Sequence, residues 1–324
     1  MANLKIIHIA TIAAWLCASA HPSSAQSIGY ADALGVLGKN CGRDIEKFCK
    51  TVNLGGGRVT QCLAQNEAAV SGSCKASYVQ MEALLTTRAR ARALVLQVCD
   101  VDIRRLCPGV QQGDGNLMEC FYKAKRNVSP QCQKTVADAG FEATVDASAS
   151  TTQVALSSTD LINSLQGVEQ VSRTITAAGL RQMALQSLHD PSRTERMNRA
   201  PLTDQLDKLA QLTIAIQFDF NSARIRPDSF QAVGLMADAL YHPYLQGYRF
   251  LIVGHTDAKG SREYNLKLSQ QRADAIRDAL INPFGISPTR IEAVGLGEEQ
   301  LLKPAAPDAA ENRRVQLVNI GPGR

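Results

Sequence analysis

Eight cysteines constrain how this 324-residue chain can fold more than any other feature. Cys41, Cys49, Cys62 and Cys74 are separated by 8, 13 and 12 positions, and Cys99, Cys107, Cys120 and Cys132 repeat that spacing 58 positions later. Other residues keep the register: Asp44 with Asp102, Ile45 with Ile103, Gly57 with Gly115 and Val70 with Val128. The segment is an internal duplication. The ninth cysteine, Cys17, lies in the N-terminal segment expected to be removed, and the even count of eight that remains in an exported chain reads as disulfides. In CGRDIEKFC the two cysteines lie about two helical turns apart and share a face. A glycine-rich turn follows, and a second helix-like stretch carries Cys62 or Cys120. An antiparallel helical hairpin sets the outer cysteines level with each other, and the inner ones likewise. The expected bridges are nested, Cys41–Cys74 with Cys49–Cys62 and Cys99–Cys132 with Cys107–Cys120, although four cysteines allow three pairings. Structural zinc sites usually present close pairs such as C-x-x-C, which do not occur here, so no metal is expected.

Export itself is expected from residues 1–25. Lys5 precedes an apolar run from Ile6 to Cys17, and small residues follow. That run is roughly a dozen residues, shorter than the ~20 a membrane-crossing helix needs. It fits a signal peptide cleaved after Ala25 or Ala20. Two alternatives are a buried N-terminal helix and a lipoprotein modified at Cys17, although Trp15 and Leu16 are large for that second signal. Lys5 leaves with the signal, so the formal net charge of +5 drops by one. With no long run of Lys or Arg, that mild balance gives no reason to expect nucleic acid as a partner.

The duplicated region resembles the cysteine-rich repeat found in tandem in a Golgi membrane glycoprotein that binds growth factors, and also in bacterial exported proteins. The resemblance covers about residues 39–134, with repeats at 41–74 and 99–132. It implies an interaction or spacer module without naming its partner. Residues 26–38 precede it as a short N-terminal segment. Residues 135–211 change texture: ATVDASASTTQVALSSTD is rich in Ser, Thr, Ala and Asp, two helix-like stretches follow, and Pro191 and Pro201 break the pattern. This reads as a linker with short helices, the alternative being a helix that packs on one neighbouring domain.

Strand and helix then alternate. LTIAIQFDF and YRFLIVG are strand-like, and RIEAVGLG and RRVQLVNI supply two more strands. One helix is expected from Pro227 to about Leu240. A longer one runs from Ser261 to about Leu280, with Leu266, Ala273, Ile276 and Leu280 on one face. The result is a two-layer α/β domain over 212–320. Within it, GHTDAKGSREYNLKLSQQRA puts Asp257 in a glycine-flanked loop and Arg272 fifteen positions later in a helix. On their own the two are either a private ion pair or two jaws for a ligand carrying both charges. His255 beside them has no second ligand at metal spacing and no nucleophile to serve, and reads as structural.

The successive motifs IQFDFNSARIRP, GHTDAKGSREYNLKLSQQRADAI, VGLGEE and NRRVQL resemble those of the OmpA-like C-terminal domain, which binds peptidoglycan. The resemblance implies meso-diaminopimelate as ligand, with Asp257 and Arg272 at its two binding positions and Asp219, Asn221, Asn265 and Arg313 around the pocket. Chemistry agrees. The free end of diaminopimelate carries an ammonium and a carboxylate on one carbon, which call for an acid and a planar donor fork. Helical side chains lean toward the helix N-terminus, so Arg272 can reach back to the Asp257 loop. The namesake's membrane barrel is not expected, since residues 26–210 show no ten-residue alternating strands.

These readings predict a multidomain, non-enzymatic protein without a cofactor. All-α disulfide-bonded helical-hairpin repeats are followed by a two-layer α/β OmpA-like domain. The expected setting is the periplasm of a Gram-negative cell, on the wall and near the outer membrane without a transmembrane segment. The repeats are expected to stand off on the linker and meet a protein partner that the sequence does not identify. Two alternatives are an adhesion or scaffolding protein dominated by the repeats, and a wall-targeted hydrolase, for which residues 26–210 offer no recognisable catalytic set.

Overall fold

Each half of the duplication folds as a helical hairpin tied by two disulfides. In the computed structural model, which describes residues 28–110, 115–141, 158–166, 175–189, 206–282 and 284–323, the first half holds α1 (Tyr30–Phe48), α2 (Arg58–Gln65) and the start of α3 (Gly72–Val98). The second holds α4 (Asp100–Leu106), α5 (Asn116–Ala124) and α6 (Pro130–Asp138). The bridges are Cys41–Cys74, Cys49–Cys62, Cys99–Cys132 and Cys107–Cys120. The expected signal segment and much of the expected linker lie outside the described residues.

The Asp44/Asp102 match has a local cause. The Asp44 carboxylate accepts from the Ser71 hydroxyl at 2.6 Å, and Ser71 in turn caps α3 by accepting from the Cys74 N–H at 3.4 Å. Asp102 repeats this, accepting from the Ser129 N–H at 3.0 Å and its hydroxyl at 2.7 Å, while Ser129 accepts from the Cys132 N–H at 3.4 Å. One aspartate per repeat thus fixes the helix that brings the outer cysteine back, by the usual logic of an N-cap serine. The Ser129 hydrogen bonds, backbone first, and then Arg105 hold the Asp102 carboxyl below the ordinary aspartate range.

The C-terminal part is a four-stranded sheet of β1 (Gln211–Ile214), β2 (Tyr248–His255), β3 (Ile291–Gly297) and β4 (Val315–Pro322), in the order β1-β4-β2-β3. β4 runs antiparallel to β1 and β2, and β2 runs parallel to β3. Side chains alternate across the sheet. Phe250, Ile252 and Leu317 join the core beneath α9 (Phe230–Leu240) and α10 (Arg262–Ile281), the expected two-layer arrangement. Gly295 lets α10 lie this close, because a Cβ there would stand 2.0 Å from the Gln270 backbone nitrogen.

Three expectations need correction. The residues read as linker build part of the fold. α7 (Ser158–Leu165) buries Leu161, Ile162 and Leu165 in the main core. α8 (Ala177–His189) sets Leu180 and Ala184 against Leu251, Val253, Val294 and Val318 on the opposite sheet face. That face is apolar on three strands, so it must be covered. Second, the first repeat does not stand off. Its cysteines share one core with Phe230, Val233 and Ile276 of the α/β part. α1 begins at Tyr30, inside the expected N-terminal segment, and Asp238 of α9 supplies its cap: Tyr30 and Ala31 N–H donate to the Asp238 carboxylate at 3.1 and 2.9 Å. Arg88 of α3 closes the junction with a 2.7 Å ion pair to Asp238, its side chain only 4% exposed. Third, LTIAIQFDF is a strand only in its first three residues, Leu212 to Ile214, which end β1. The chain from Gln217 turns back on itself, and Phe218 meets Ile225 in an isolated antiparallel bridge.

Candidate functional site

Asp257 follows the C-terminal end of β2. Its Oδ1 accepts from the Lys259 N–H at 3.2 Å, which curls the loop, and Gly260 takes φ +100, a left-handed value that favours glycine. Asn265 on α10 pins the same loop, donating through Nδ2 to the Asp257 carbonyl at 3.2 Å, the Lys259 carbonyl at 3.1 Å and Glu298 Oε2 at 2.5 Å. Asn312 backs it from the other side, donating to the Ala306 and Pro307 carbonyls at 2.9 and 3.0 Å, and the Pro307 carbonyl also accepts from the Ala258 N–H.

Asp257 and Arg272 are not hydrogen-bonded to each other. Asp257 Oδ2 accepts from Arg313 Nη1 at 2.6 Å, with the Asp257 side chain 11% and the Arg313 side chain 47% exposed. Arg272 donates through Nε to the Ser222 carbonyl at 3.0 Å, and its guanidinium carbon lies 4.9 Å from the centre of the Phe218 ring. Its two terminal nitrogens make no hydrogen bond among the described residues. Burial draws its pKa below the ordinary arginine value; Tyr264 opposes that, Arg313 adds to it, and Asp257 opposes it. An arginine so perturbed is still cationic at neutral pH. The site therefore offers one carboxylate and two guanidinium groups beside an aromatic ring.

The loop over 217–226 forms the other wall. Asp219 N–H donates to the Arg224 carbonyl at 3.1 Å, and Ser222 N–H to the Asp219 carbonyl at 3.2 Å. Asn221 sits at the tip with φ +55, hydrogen-bonded to the Tyr264 hydroxyl, and Phe220 beside it is 98% exposed. The Asp219 carboxylate is engaged by Arg224 at 2.6 Å. Of the residues expected around the pocket, Arg313 meets Asp257 directly, Asn265 holds backbone, Asn221 contacts Tyr264, and Asp219 is tied back along its own loop.

Sequence reasoning missed what braces this loop. Glu46 of α1 accepts from Arg224 at 3.1 Å. Asn53, in the first repeat's turn, donates to the Ala223 carbonyl at 2.8 Å and accepts from the Ile225 N–H at 3.0 Å. Nothing in the sequence signals these contacts, which join residues 170 to 178 positions apart. On the far side, Arg262 grips Glu299 at 2.7 Å, and Ser187 of α8 donates to the same carboxylate at 2.7 Å. His255 is buried beside this region, and burial, reinforced by Arg314, lowers its pKa well below the ordinary value. Among the described residues no group of His, Cys, Asp and Glu is arranged to hold a metal ion.

A mixed four-stranded sheet with two helices on one face, an acid in the β2–α10 loop and arginines on α10 and before β4 define an OmpA-like domain. The OmpA family model matches residues 217–314, all of them beyond the cysteine-rich region. The chain belongs to the OmpA family. The peptidoglycan-associated lipoprotein of Pseudomonas putida is 31% identical over 132 residues, covering 40% of this chain and 77% of that one. Outer membrane porin F of Pseudomonas aeruginosa is 33% identical over 114 residues, covering 34% of this chain and 31% of the porin. The chain therefore spans only about a third of that relative's length. Among solved structures, an outer membrane protein from Borrelia burgdorferi B31 is 30% identical, with 33% of this chain and 86% of that one covered and a TM-score of 0.28.

Proposed function

We propose that this chain is a non-enzymatic peptidoglycan-binding protein of the cell envelope that grips the free end of diaminopimelate between Asp257, Arg272 and Arg313. The observation that carries the reading is the pairing at the site. Asp257 and Arg272 are not each other's partner, and the terminal nitrogens of Arg272 are unengaged among the described residues. A zwitterion fits this arrangement: its carboxylate takes the Arg272 fork, and its ammonium shares Asp257 with the half-exposed Arg313. The OmpA-family relatives support the class of ligand, one being by name peptidoglycan-associated and another an outer membrane porin. The proposed setting is the periplasmic face of the wall, reached by secretion and close to the outer membrane. No helix among the described residues is long and apolar enough to cross a membrane. The first cysteine-rich repeat acts in this reading as the support on which the binding loop rests, and the repeats keep a surface for a further partner.

The test is calorimetry with a soluble diaminopimelate-containing stem peptide. A charge-assisted hydrogen bond contributes about 1.5–3 kcal/mol, so Asp257→Ala and Arg272→Ala should each weaken binding roughly tenfold or more. Circular dichroism should show both variants folded. A stem peptide with lysine at that position lacks the second carboxylate and should bind poorly. Wild-type affinity in both variants would refute the assignment.

A further inference from the structure

We infer that the first cysteine-rich repeat carries a second contact line to the wall, a row of cations on α1 that binds carboxylates of the peptidoglycan polymer beyond the pocket. This rests on the wall-binding reading above and extends it to a surface outside the OmpA-like domain.

Lys39, Arg43 and Lys47 follow one another at helical i, i+4, i+8 spacing on α1, and Lys50 follows just past its end. All four are exposed, and none forms an ion pair among the described residues. The acids beside them are already engaged: Asp44 accepts from Ser71, and Glu46 is bound to Arg224. Like charges four apart on a helix repel, so the row costs the free protein something. Lys47 and Lys50 are partly explained by the helix dipole, which favours cations in the last turn. Lys39 and Arg43 lie too far from that end for this to apply.

The duplication supplies an internal control. The residues at the same register in the second repeat are Gln97, Val101, Arg105 and Pro108. Both repeats build the same disulfide hairpin, so the hairpin does not require the row. Position then selects the partner. Lys39, Arg43 and Glu46 fall on one side of the helix by their spacing, with Lys47 one step further round, and Glu46 touches Arg224, which holds Asp219 in the binding loop. The row thus continues the surface that begins at the pocket. A polymer anchored in the pocket by one stem peptide brings the carboxylates of neighbouring stems across it. Anionic lipid would satisfy the charge but not this continuity.

The experiment compares the full mature chain with the triple variant Lys39→Gln, Arg43→Gln, Lys47→Gln. Binding is measured to purified diaminopimelate-type sacculi across a salt series, to the free stem peptide, and to vesicles containing anionic phospholipid. The expected result is roughly tenfold weaker sacculus binding by the variant at low salt, converging with wild type at high salt as exposed charges are screened. Free-peptide affinity should be unchanged. The wild-type salt dependence checks the idea without any variant, and circular dichroism checks the fold. Equal sacculus binding by both proteins at low salt, or wild-type binding that ignores salt, overturns the proposal. So does a loss confined to the vesicles, which would assign the row to a membrane. If neither protein binds the free peptide yet the variant still loses sacculus binding, the pocket reading falls and the cation row stands.

Discussion

Asn53→Ala tests whether the first repeat sets the conformation of the binding loop. Asn53 lies outside the pocket, yet its side chain makes two hydrogen bonds to the loop backbone, to the Ala223 carbonyl at 2.8 Å and from the Ile225 N–H at 3.0 Å. Each contributes about 0.5–1.5 kcal/mol net, and a buried N–H left without an acceptor costs about 1–3 kcal/mol. Ile225 is 1% exposed, so its N–H gains little from water when Asn53 is removed. The variant should destabilise the loop by roughly 1–3 kcal/mol, while the Arg224–Glu46 and Asp219–Arg224 contacts still hold its other side. Ligand then binds only the fraction of molecules with the loop in place, and apparent Kd rises as that fraction falls. For a loop held by about the energy removed, about half the molecules keep it in place and the loss is roughly twofold. Calorimetry with the free stem peptide reads this directly, and thermal melting separates a local from a global effect. Wild-type affinity in Asn53→Ala would refute the brace, and a lowered melting point with unchanged affinity would reduce Asn53 to a structural role.

Two further outcomes are expected. A fragment beginning at Leu202 lacks both α7 and α8, losing Leu161, Ile162 and Leu165 from the main core and uncovering Leu251, Val253, Val294 and Val318; in urea denaturation it should be several kcal/mol less stable than one beginning at Ser158, since each buried Leu side chain contributes about 1.5–3 kcal/mol, and equal midpoints would remove both helices from the core. Burial and then Lys125 lower the His242 pKa to about 4, so it contributes stability that is fully present above the unfolded value of about 6.5 and lost as pH falls from there toward 4. His255 shifts in the same direction, so the test is a difference. The pH dependence of the wild-type melting point should be steeper over that range than that of His242→Gln, and parallel curves would contradict the assignment.

What the sequence made legible was local and periodic. The cysteine spacing implied hairpins, strand and helix alternated over 212–320, and Asp257 and Arg272 could be placed at the two ends of a loop and a helix. What escaped it depends on chain meeting chain. Arg313 was legible as a pocket residue but its pairing with Asp257 was not: it reaches Asp257 because the chain entering β4 runs beside the end of β2, where the His255 N–H donates to the Arg314 carbonyl at 3.0 Å. α8 lay in a polar, Ser- and Thr-rich neighbourhood, and average composition hid the Leu180 and Ala184 pair that covers a sheet. The repeats make the point most sharply. Their shared residues, the cysteines and Asp44 with Asp102, are the ones that fold a hairpin, and a duplication displays those to anyone counting positions. The polar residues that tie the first repeat to the binding loop are ones the copies do not share: Glu46 and Asn53 correspond to Arg104 and Gln111 in the second repeat. An arginine at the Glu46 position would face Arg224 with like charge, so the second repeat could not replace the first beneath the binding loop. The duplication therefore conceals a division of labour, and the positions to search for it are those where two equal scaffolds differ.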